Sequence, residues 1–314
     1  MKHFLRLSDH TADDIRGLVD AAVEIKANPA SVANELAGKT LLMIFEKPSL
    51  RTRLSFEIGM TQMGGDAIFY SVKDSPLGHK ESIADTSRVA SRMVGMMMAR
   101  LNHHKDLVEL AEYASVPVIN GMCDIAHPCQ MISDLLTMQE RWGGLPAGKK
   151  LAYFGDSCNN VTYSLMVGGI MMGFEVAVAC PDRDDTKPEA WILQECEKLA
   201  ATYGGSFKVT HEPAEAADGA DVLYTDSWMS YHISKEEEKA RIELFKPYQV
   251  TRELMARGNP EAIFMNCLPA NREQEQTAEV IDGPQSIVFD QAENRLHVNR
   301  AILATAMAPA DGGA

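Results

Sequence analysis

The sequence predicts an α/β protein of two doubly wound domains, each built on a mostly parallel sheet. Three observations predict it. Short apolar runs alternate with amphipathic stretches along nearly all 314 residues. The strand-sized runs are apolar at consecutive positions, as strands covered on both faces are. The alternation breaks at Trp142-Gly143-Gly144-Leu145-Pro146-Ala147-Gly148, the richest Gly/Pro stretch, and then restarts. No fixed-period repeat and no low-complexity tract interrupts it.

Taken in order, Thr11-Ala12-Asp13-Asp14 reads as a capping box, and Ile15, Leu18, Val19, Ala22 and Ile25 follow at near-helical spacing. Thr40–Phe45 reads as a strand, Arg51–Met63 as a helix and Ala67–Tyr70 as a strand. Ser82-Ile83-Ala84-Asp85 caps a helix running to about Val94. Strand Met96–Ala99, helix Lys105–Tyr113, strand Pro117–Asn120 and a long helix after His127 complete the first half. The second half gives strand Leu151–Phe154, helix Asn160–Met172, strand Glu175–Ala179, helix Glu189–Ala201 and strands Ser206–Val209 and Val222–Thr225. A charged helix over Lys235–Arg241, strand Ala262–Met265 and a helix near Asn299–Met307 end the chain.

Composition narrows the function. Hydrophobic residues at 46% and charged residues at 24% suit a globular enzyme. A net charge of −14 repels nucleic acid and anionic membrane, so neither is expected as a partner. Any phosphate must then bind in a local basic pocket. The six cysteines show no Cys-x-x-Cys spacing, which points to reduced thiols. The N-terminal residues carry no apolar or Arg/Ser-rich targeting stretch, and no apolar run approaches a membrane span. A cytoplasmic location is expected, and the Asn160-Val161-Thr162 sequon then carries no meaning.

In open α/β sheets, ligands bind beyond the carboxyl ends of the strands. The polar residues after each expected strand are Lys47, Ser49, Arg51, Thr52 and Arg53, then Arg100, then His127 and Gln130. In the second half they are Asp156, Asn159 and Asn160, then Asp226 and Ser230, then Asn266 and Cys267. These residue types fit an active site in the interdomain cleft, with a phosphate on the first domain. Ser49-Leu50-Arg51-Thr52-Arg53 joins a strand to a helix, where unpaired N–H groups, hydroxyls and guanidiniums suit an anion. A Ser N-cap with solvated arginines would look the same. His127 and Gln130 share one face of a helix's first turn and suit a small planar group, although a histidine there also serves structure. Cys267 after an apolar strand reads equally as a packed thiol, and Asp226–Ser230 as a helix cap.

Other chemistries lack their signatures. Gly143…Gly148-Lys149-Lys150 has Walker-like spacing, but it lacks the Ser/Thr and precedes a strand. Gly155 stands alone where a dinucleotide fingerprint needs three glycines. Cys123, His127 and Cys129 have no second ligand pair for zinc. No Gly-x-Ser-x-Gly elbow is present.

In this order the segments resemble one family. Phe45-Glu46-Lys47-Pro48-Ser49-Leu50-Arg51-Thr52-Arg53-Leu54-Ser55-Phe56-Glu57 is similar to the carbamoyl phosphate loop of the aspartate/ornithine carbamoyltransferases. His127-Pro128-Cys129-Gln130, with Asp134 one turn on, resembles their carbamoyl-binding helix. Gly155-Asp156 with Asn159-Asn160, Asp226-Ser227-Trp228-Met229-Ser230, Asn266-Cys267-Leu268-Pro269-Ala270 and Phe289-Asp290-Gln291-Ala292-Glu293-Asn294-Arg295 resemble the ornithine branch, as does the start, Met1–Leu5.

The resemblance implies a carbamoyl phosphate domain at 1–145 and an amino-acid domain at 146–294, with helix 295–314 packing back on the first. It implies carbamoyl transfer from carbamoyl phosphate to the δ-amine of ornithine, a step of arginine biosynthesis, in a homotrimer without metal or organic cofactor. Ser49, Leu50 (through its backbone), Arg51, Thr52 and Arg100 would hold the phosphate. His127, Gln130, Arg295 and the backbone of Cys267 and Leu268 would hold the carbamoyl group. Arg100, His127, Cys267 and Arg295 would be the catalytic set, with Cys267 beside the attacking amine. Asn160, Asp226, Ser230 and Tyr231 would orient ornithine. The departures from the family pattern are Tyr231-His232 after Ser230, Asn266 in place of the usual histidine, and Pro76 in place of a polar residue. They leave putrescine, an N-acylornithine or lysine as alternative amines, and a non-catalytic binding relative as the other class.

Overall fold

A computed structural model describes residues 2–73, 77, 80–229 and 235–308. The chain forms two units, one comprising the stretch up to Leu136 together with that from Glu293 onward, the other Thr137–Ala292.

In the first unit, α1 (Ala12–Ala27) begins at Thr11, whose hydroxyl accepts the Asp14 N–H at 3.1 Å while Asp14 Oδ2 accepts the Thr11 N–H at 2.9 Å. Its Ile15, Leu18, Val19, Ala22 and Ile25 are buried, the face that the spacing marks. Strand β1 (Thr40–Phe45), helix α2 (Leu50–Gln62), β2 (Asp66–Ser71), α3 (Ile83–Ala90), β3 (Met96–Arg100), α4 (His104–Glu112) and β4 (Val118–Met122) follow. The four strands pair in parallel in the order β2-β1-β3-β4. All five residues of β3 are buried, as an apolar run in an interior strand requires. Helix α5 (Pro128–Trp142) follows β4.

The second unit carries β5 (Lys150–Phe154), α6 (Asn160–Met171), β6 (Glu175–Ala179), α7 (Ala190–Tyr203), β7 (Ser206–Thr210), α8 (Pro213–Ala217), β8 (Val222–Thr225), α9 (Lys235–Phe245), α10 (Arg252–Met255), β9 (Ile263–Met265) and α11 (Ala278–Ile281). Its five strands are also parallel, in the order β7-β6-β5-β8-β9. Helix α6 is buried from Val161 to Met171, so its sequence is apolar all round rather than striped. The core of one face gathers Phe154, Leu223, Val250, Met255 and Phe264.

The α/β class and the parallel sheets agree with the sequence expectation, and several element limits do not. Helices α8, α10 and α11 are short turns without a measurable apolar period. The last helix, α12 (Val288–Met307), starts well before the expected Asn299. The buried positions before Val298 include Gln291, Asn294, Arg295 and His297, so the first half of the helix faces the core with polar residues and gives no apolar stripe. Ser230-Tyr231-His232 and Pro76 lie outside the described residues.

In each sheet the chain reverses its winding direction once. The neighbours at that point are β1 and β3 in the first unit and β5 and β8 in the second. The carboxyl ends of such a strand pair open a crevice where loops diverge, and ligands bind there.

Candidate active site

In the first unit, the carboxyl end of β1 leads to Ser49, which caps α2. Its Oγ accepts the Thr52 N–H at 3.4 Å and lies 3.1 Å from Thr52 Oγ1. Leu50 and Arg51 are therefore the first residues of a helix whose opening N–H groups need acceptors. Arg53 points elsewhere: it pairs with Glu57 at 2.8 Å and lies 4.2 Å over the Phe69 ring. β3 ends on Arg100, which is buried and stands opposite Phe45 in the register. The Glu46 N–H donates to Arg100 O at 2.9 Å, and Glu46 Oε2 accepts the Asn102 N–H at 2.6 Å. The ends of the two switch-point strands are thereby fastened together.

His127 and Gln130 enter from the start of α5, and both are buried. Gln130 Nε2 donates to Asp134 Oδ1 at 2.9 Å, and Gln130 Oε1 accepts from Arg295 Nη1 at 2.6 Å. Arg295, on α12, also reaches Thr52 Oγ1 at 3.4 Å. One guanidinium thus joins α2 to α5, 243 and 165 residues away in sequence. Behind it, Asn299 Nδ2 donates to Ser55 Oγ at 2.7 Å, and Gly59 gives α12 room, since a Cβ there would meet Arg300 Cγ at 3.3 Å. Burial drives the His127 pKa well below its ordinary value, and Arg295, Arg100 and Arg51 push it the same way. The imidazole is therefore neutral, able to donate from one nitrogen and accept at the other.

In the second unit, β5 leads through Gly155, at φ +115°, to Asp156 and then to Asn159, whose Oδ1 accepts the Val161 and Thr162 N–H groups at 2.9 Å each. Asn160 is the first residue of α6. Asp226 follows β8, and its Oδ1 accepts from Cys267 Sγ at 3.2 Å. Leu268 has φ 56° and donates its N–H to Asn266 Oδ1 at 2.7 Å. Asn266 is fully buried, with Nδ2 on Gln276 Oε1 at 3.2 Å and its N–H on Gln291 Oε1 at 3.0 Å. Its amide holds the Cys267-Leu268 backbone turn.

Of the residues singled out in the sequence, the first unit brings together Ser49, Leu50, Arg51, Thr52, Arg100, His127, Gln130 and Arg295 at one switch point. The second brings together Asp226, Cys267 and Leu268 and places Asn160 at the neighbouring helix start. Sequence reasoning missed Arg241 and Glu275. Arg241 stands four residues before the buried Phe245, a core-facing position where a charge is the only warning. Glu275 had no signal at all. Among the described residues, no group of three or more His, Cys, Asp or Glu side chains is placed to hold a metal ion.

Residues 2–140 match the carbamoyl phosphate-binding domain of the aspartate/ornithine carbamoyltransferases, and residues 147–306 match their aspartate/ornithine-binding domain. The chain belongs to the aspartate/ornithine carbamoyltransferase family. It is 50% identical over 309 residues, 98% of each chain, to an ornithine carbamoyltransferase of Symbiobacterium thermophilum. It is 45% identical to an anabolic ornithine carbamoyltransferase of Pyrococcus furiosus over 98% of this chain and 96% of that one. The solved structure of ornithine carbamoyltransferase from Pyrococcus furiosus superposes with a TM-score of 0.94, at 44% identity, covering 99% of this chain and 98% of the other. For a carbamoyltransferase, the two switch points differ in charge as its two substrates do: guanidiniums in the first unit, carboxylates and a thiol in the second.

Proposed function

We propose that this enzyme transfers the carbamoyl group of carbamoyl phosphate to the δ-amine of L-ornithine, giving citrulline and phosphate. The observation that carries the reading is the guanidinium cluster of the first unit. Arg295 is hydrogen-bonded to Gln130 and Thr52 beside the Ser49-capped start of α2, and a neutral His127 lies within the field of Arg51, Arg100 and Arg295. Relatives over nearly the whole chain carry the same activity in their names.

The residues divide the chemistry as follows. The start of α2, Ser49, Thr52, Arg51 and Arg100 bind the phosphate oxygens and neutralise them as the phosphate leaves. His127 donates an N–H to the carbamoyl oxygen, and Arg295 stabilises the charge that grows there. Gln130 has one N–H and one lone pair beyond those used by Asp134 and Arg295, enough to orient the carbamoyl amide. Asp226 and Asn160 hold the amino-acid end of ornithine, together with Ser230 and Tyr231. The uncharged δ-nitrogen attacks the carbonyl carbon, the C–O bond to phosphorus breaks, and the amine proton ends on the departing phosphate, as HPO4²⁻. Cys267 lies by the attacking nitrogen, and the backbone of Cys267 and Leu268 completes the carbamoyl contacts.

The reading includes a homotrimer acting in the cytoplasm, in the direction of arginine biosynthesis. Supporting the assembly, Leu50, Leu54 and Ile58 form an exposed apolar row on α2, and Ile68 and Phe69 are exposed on the edge strand β2. Supporting the compartment, none of the six cysteines is in a disulfide. Carbamoylation, monitored by phosphate release and assayed with ornithine, putrescine, lysine, N-acetylornithine and aspartate, tests the reaction. Ornithine is expected to give the highest kcat/KM, and a higher value for any other amine overturns the substrate assignment. Light scattering tests the trimer, and a fully active monomer refutes it.

A further inference from the structure

One half-buried cation of the second unit has no part in the reaction just described. The Arg241 side chain, on α9, is 19% exposed. Its Nη2 donates to Asp156 Oδ2, its Nε donates to Trp228 O at 3.0 Å, and its guanidinium lies 4.9 Å from the Phe245 ring centre. Asp156 follows β5 and Trp228 follows β8, the strands of the switch point, where Phe154 stands opposite Thr225. One side chain therefore fastens both diverging loops to α9. The loop after β8 is pinned from a second direction, because the Trp228 N–H donates to Glu275 Oε1 at 3.3 Å and the Asn271 N–H to Glu275 Oε2 at 2.9 Å. Asp226 lies two residues before Trp228 in that loop.

The electrostatics need this cation. Burial pushes Asp156 up to about 6, Arg241 pulls it back, and Asp226 adds to the rise. Burial also raises Glu275, with Asp226 again contributing. Asp226 thus raises both Asp156 and Glu275 in one strand-end region, and Arg241 is bonded to Asp156 there.

We propose that Arg241 is a positioning residue for the amine substrate: by clamping Asp156 and the Trp228 carbonyl it fixes the loop that carries Asp226. The proposal rests on the carbamoyl-transfer reading. It confines the role of Arg241 to the amine, since every contact of its guanidinium lies in the second unit.

The test begins with the wild-type enzyme and ornithine, so that failure of the reaction itself is seen first. Arg241→Lys and Arg241→Met are then compared by steady-state kinetics, and by calorimetry with carbamoyl phosphate. Arg241→Met is expected to raise the ornithine KM by about tenfold or more, the loss of a charge-assisted bond. Carbamoyl phosphate affinity should not change. Arg241→Lys should recover part of the loss, because an ammonium reaches one acceptor where the guanidinium reaches two. If Arg241→Met does not fold, Asp156→Asn/Arg241→Met removes the orphaned carboxylate and still deletes the clamp on Trp228, so the raised KM is expected there as well. An ornithine KM equal to wild type in whichever variant folds overturns the proposal, as does an equal loss of carbamoyl phosphate affinity.

Discussion

Gln130 offers the sharpest test of the first unit, because its contribution to binding and to stability can be separated. Gln130→Leu keeps the volume and removes every polar contact. In the free protein, the variant loses the 2.6 Å bond from Arg295 and the 2.9 Å bond to Asp134. Arg295 is 3% exposed, so the lost charge-assisted bond is charged nearly in full to stability, about 1.5–3 kcal/mol. That loss is present with or without ligand and largely cancels from binding. What remains in binding is the direct bond from the Gln130 amide to the carbamoyl group, about 0.5–1.5 kcal/mol or roughly two- to tenfold in Kd. Urea unfolding measures the first quantity, and calorimetry with carbamoyl phosphate measures the second. Lowered stability with an unchanged Kd would reduce Gln130 to a support for Arg295. No change in either would show that the bonded chain has no energetic role and would remove the basis for placing the carbamoyl group there.

Four further outcomes are expected. Arg51→Ala should weaken carbamoyl phosphate binding by about 1.5–3 kcal/mol per lost charge-assisted bond, and unchanged calorimetric binding would remove Arg51 from the anion site. Gly155→Ala should destabilise the fold by about 2–5 kcal/mol, because φ is +115° and the new Cβ would lie 2.6 Å from Trp228 Nε1; an unaltered urea midpoint would contradict that packing. Asp156 has a folded pKa of about 6 against an ordinary 3.8, so the folded state binds more protons in that window and stability falls as pH rises through it, by on the order of 3 kcal/mol. Asp156→Asn should flatten that slope, and an identical pH dependence would refute the assignment. Cys267→Ser should lower kcat more than it weakens carbamoyl phosphate binding, with carbamoyl phosphate protecting the wild-type thiol from alkylation; equal turnover with unprotected alkylation would leave Cys267 structural.

The legible part of this protein is what lies within one strand–loop–helix step. Ser49, Arg51, Thr52, Arg100, His127 and Asp226 stand directly after apolar strands, and strand-end position with residue chemistry was enough to single them out. Arg295 could not be found in this way. Its partners include Thr52 and Gln130, and its neighbours Gln291, Asn294 and His297 are buried and polar, so no apolar period marks this half of the helix and only the family resemblance pointed to it. Arg241 sat in a segment, Lys235–Phe245, whose run of lysines and glutamates reads as a solvated face. Asn266 stands at the family's histidine position, and its buried bonds to Gln276 and Gln291 could not be read from the segment itself. In each case the missing information is a partner distant in sequence, which local chemistry does not encode.

Sheet order explains why two such different charge sets arise from the same architecture. A doubly wound sheet offers one place where neighbouring loops diverge, and much of what is presented there comes from the residues that follow two strands. In the first unit those strands are β1 and β3, and Arg51 and Arg100 follow or end them, with Arg295 added from α12. In the second they are β5 and β8, followed by Asp156 and Asp226. A chain with a net charge of −14 repels an anionic substrate at long range, so the first set must act locally, and burial strengthens it by lowering the effective dielectric. The same burial lowers the His127 pKa, which fits the proposed role of a neutral donor to an uncharged carbonyl. In the second unit, burial raises the Asp156 pKa and Arg241 opposes the rise. Arg241 there bonds both loops that follow the switch-point strands, through Asp156 and the Trp228 carbonyl. The charge assigned to each substrate is thus set by which residues follow the switch-point strands, and the fold supplies the position.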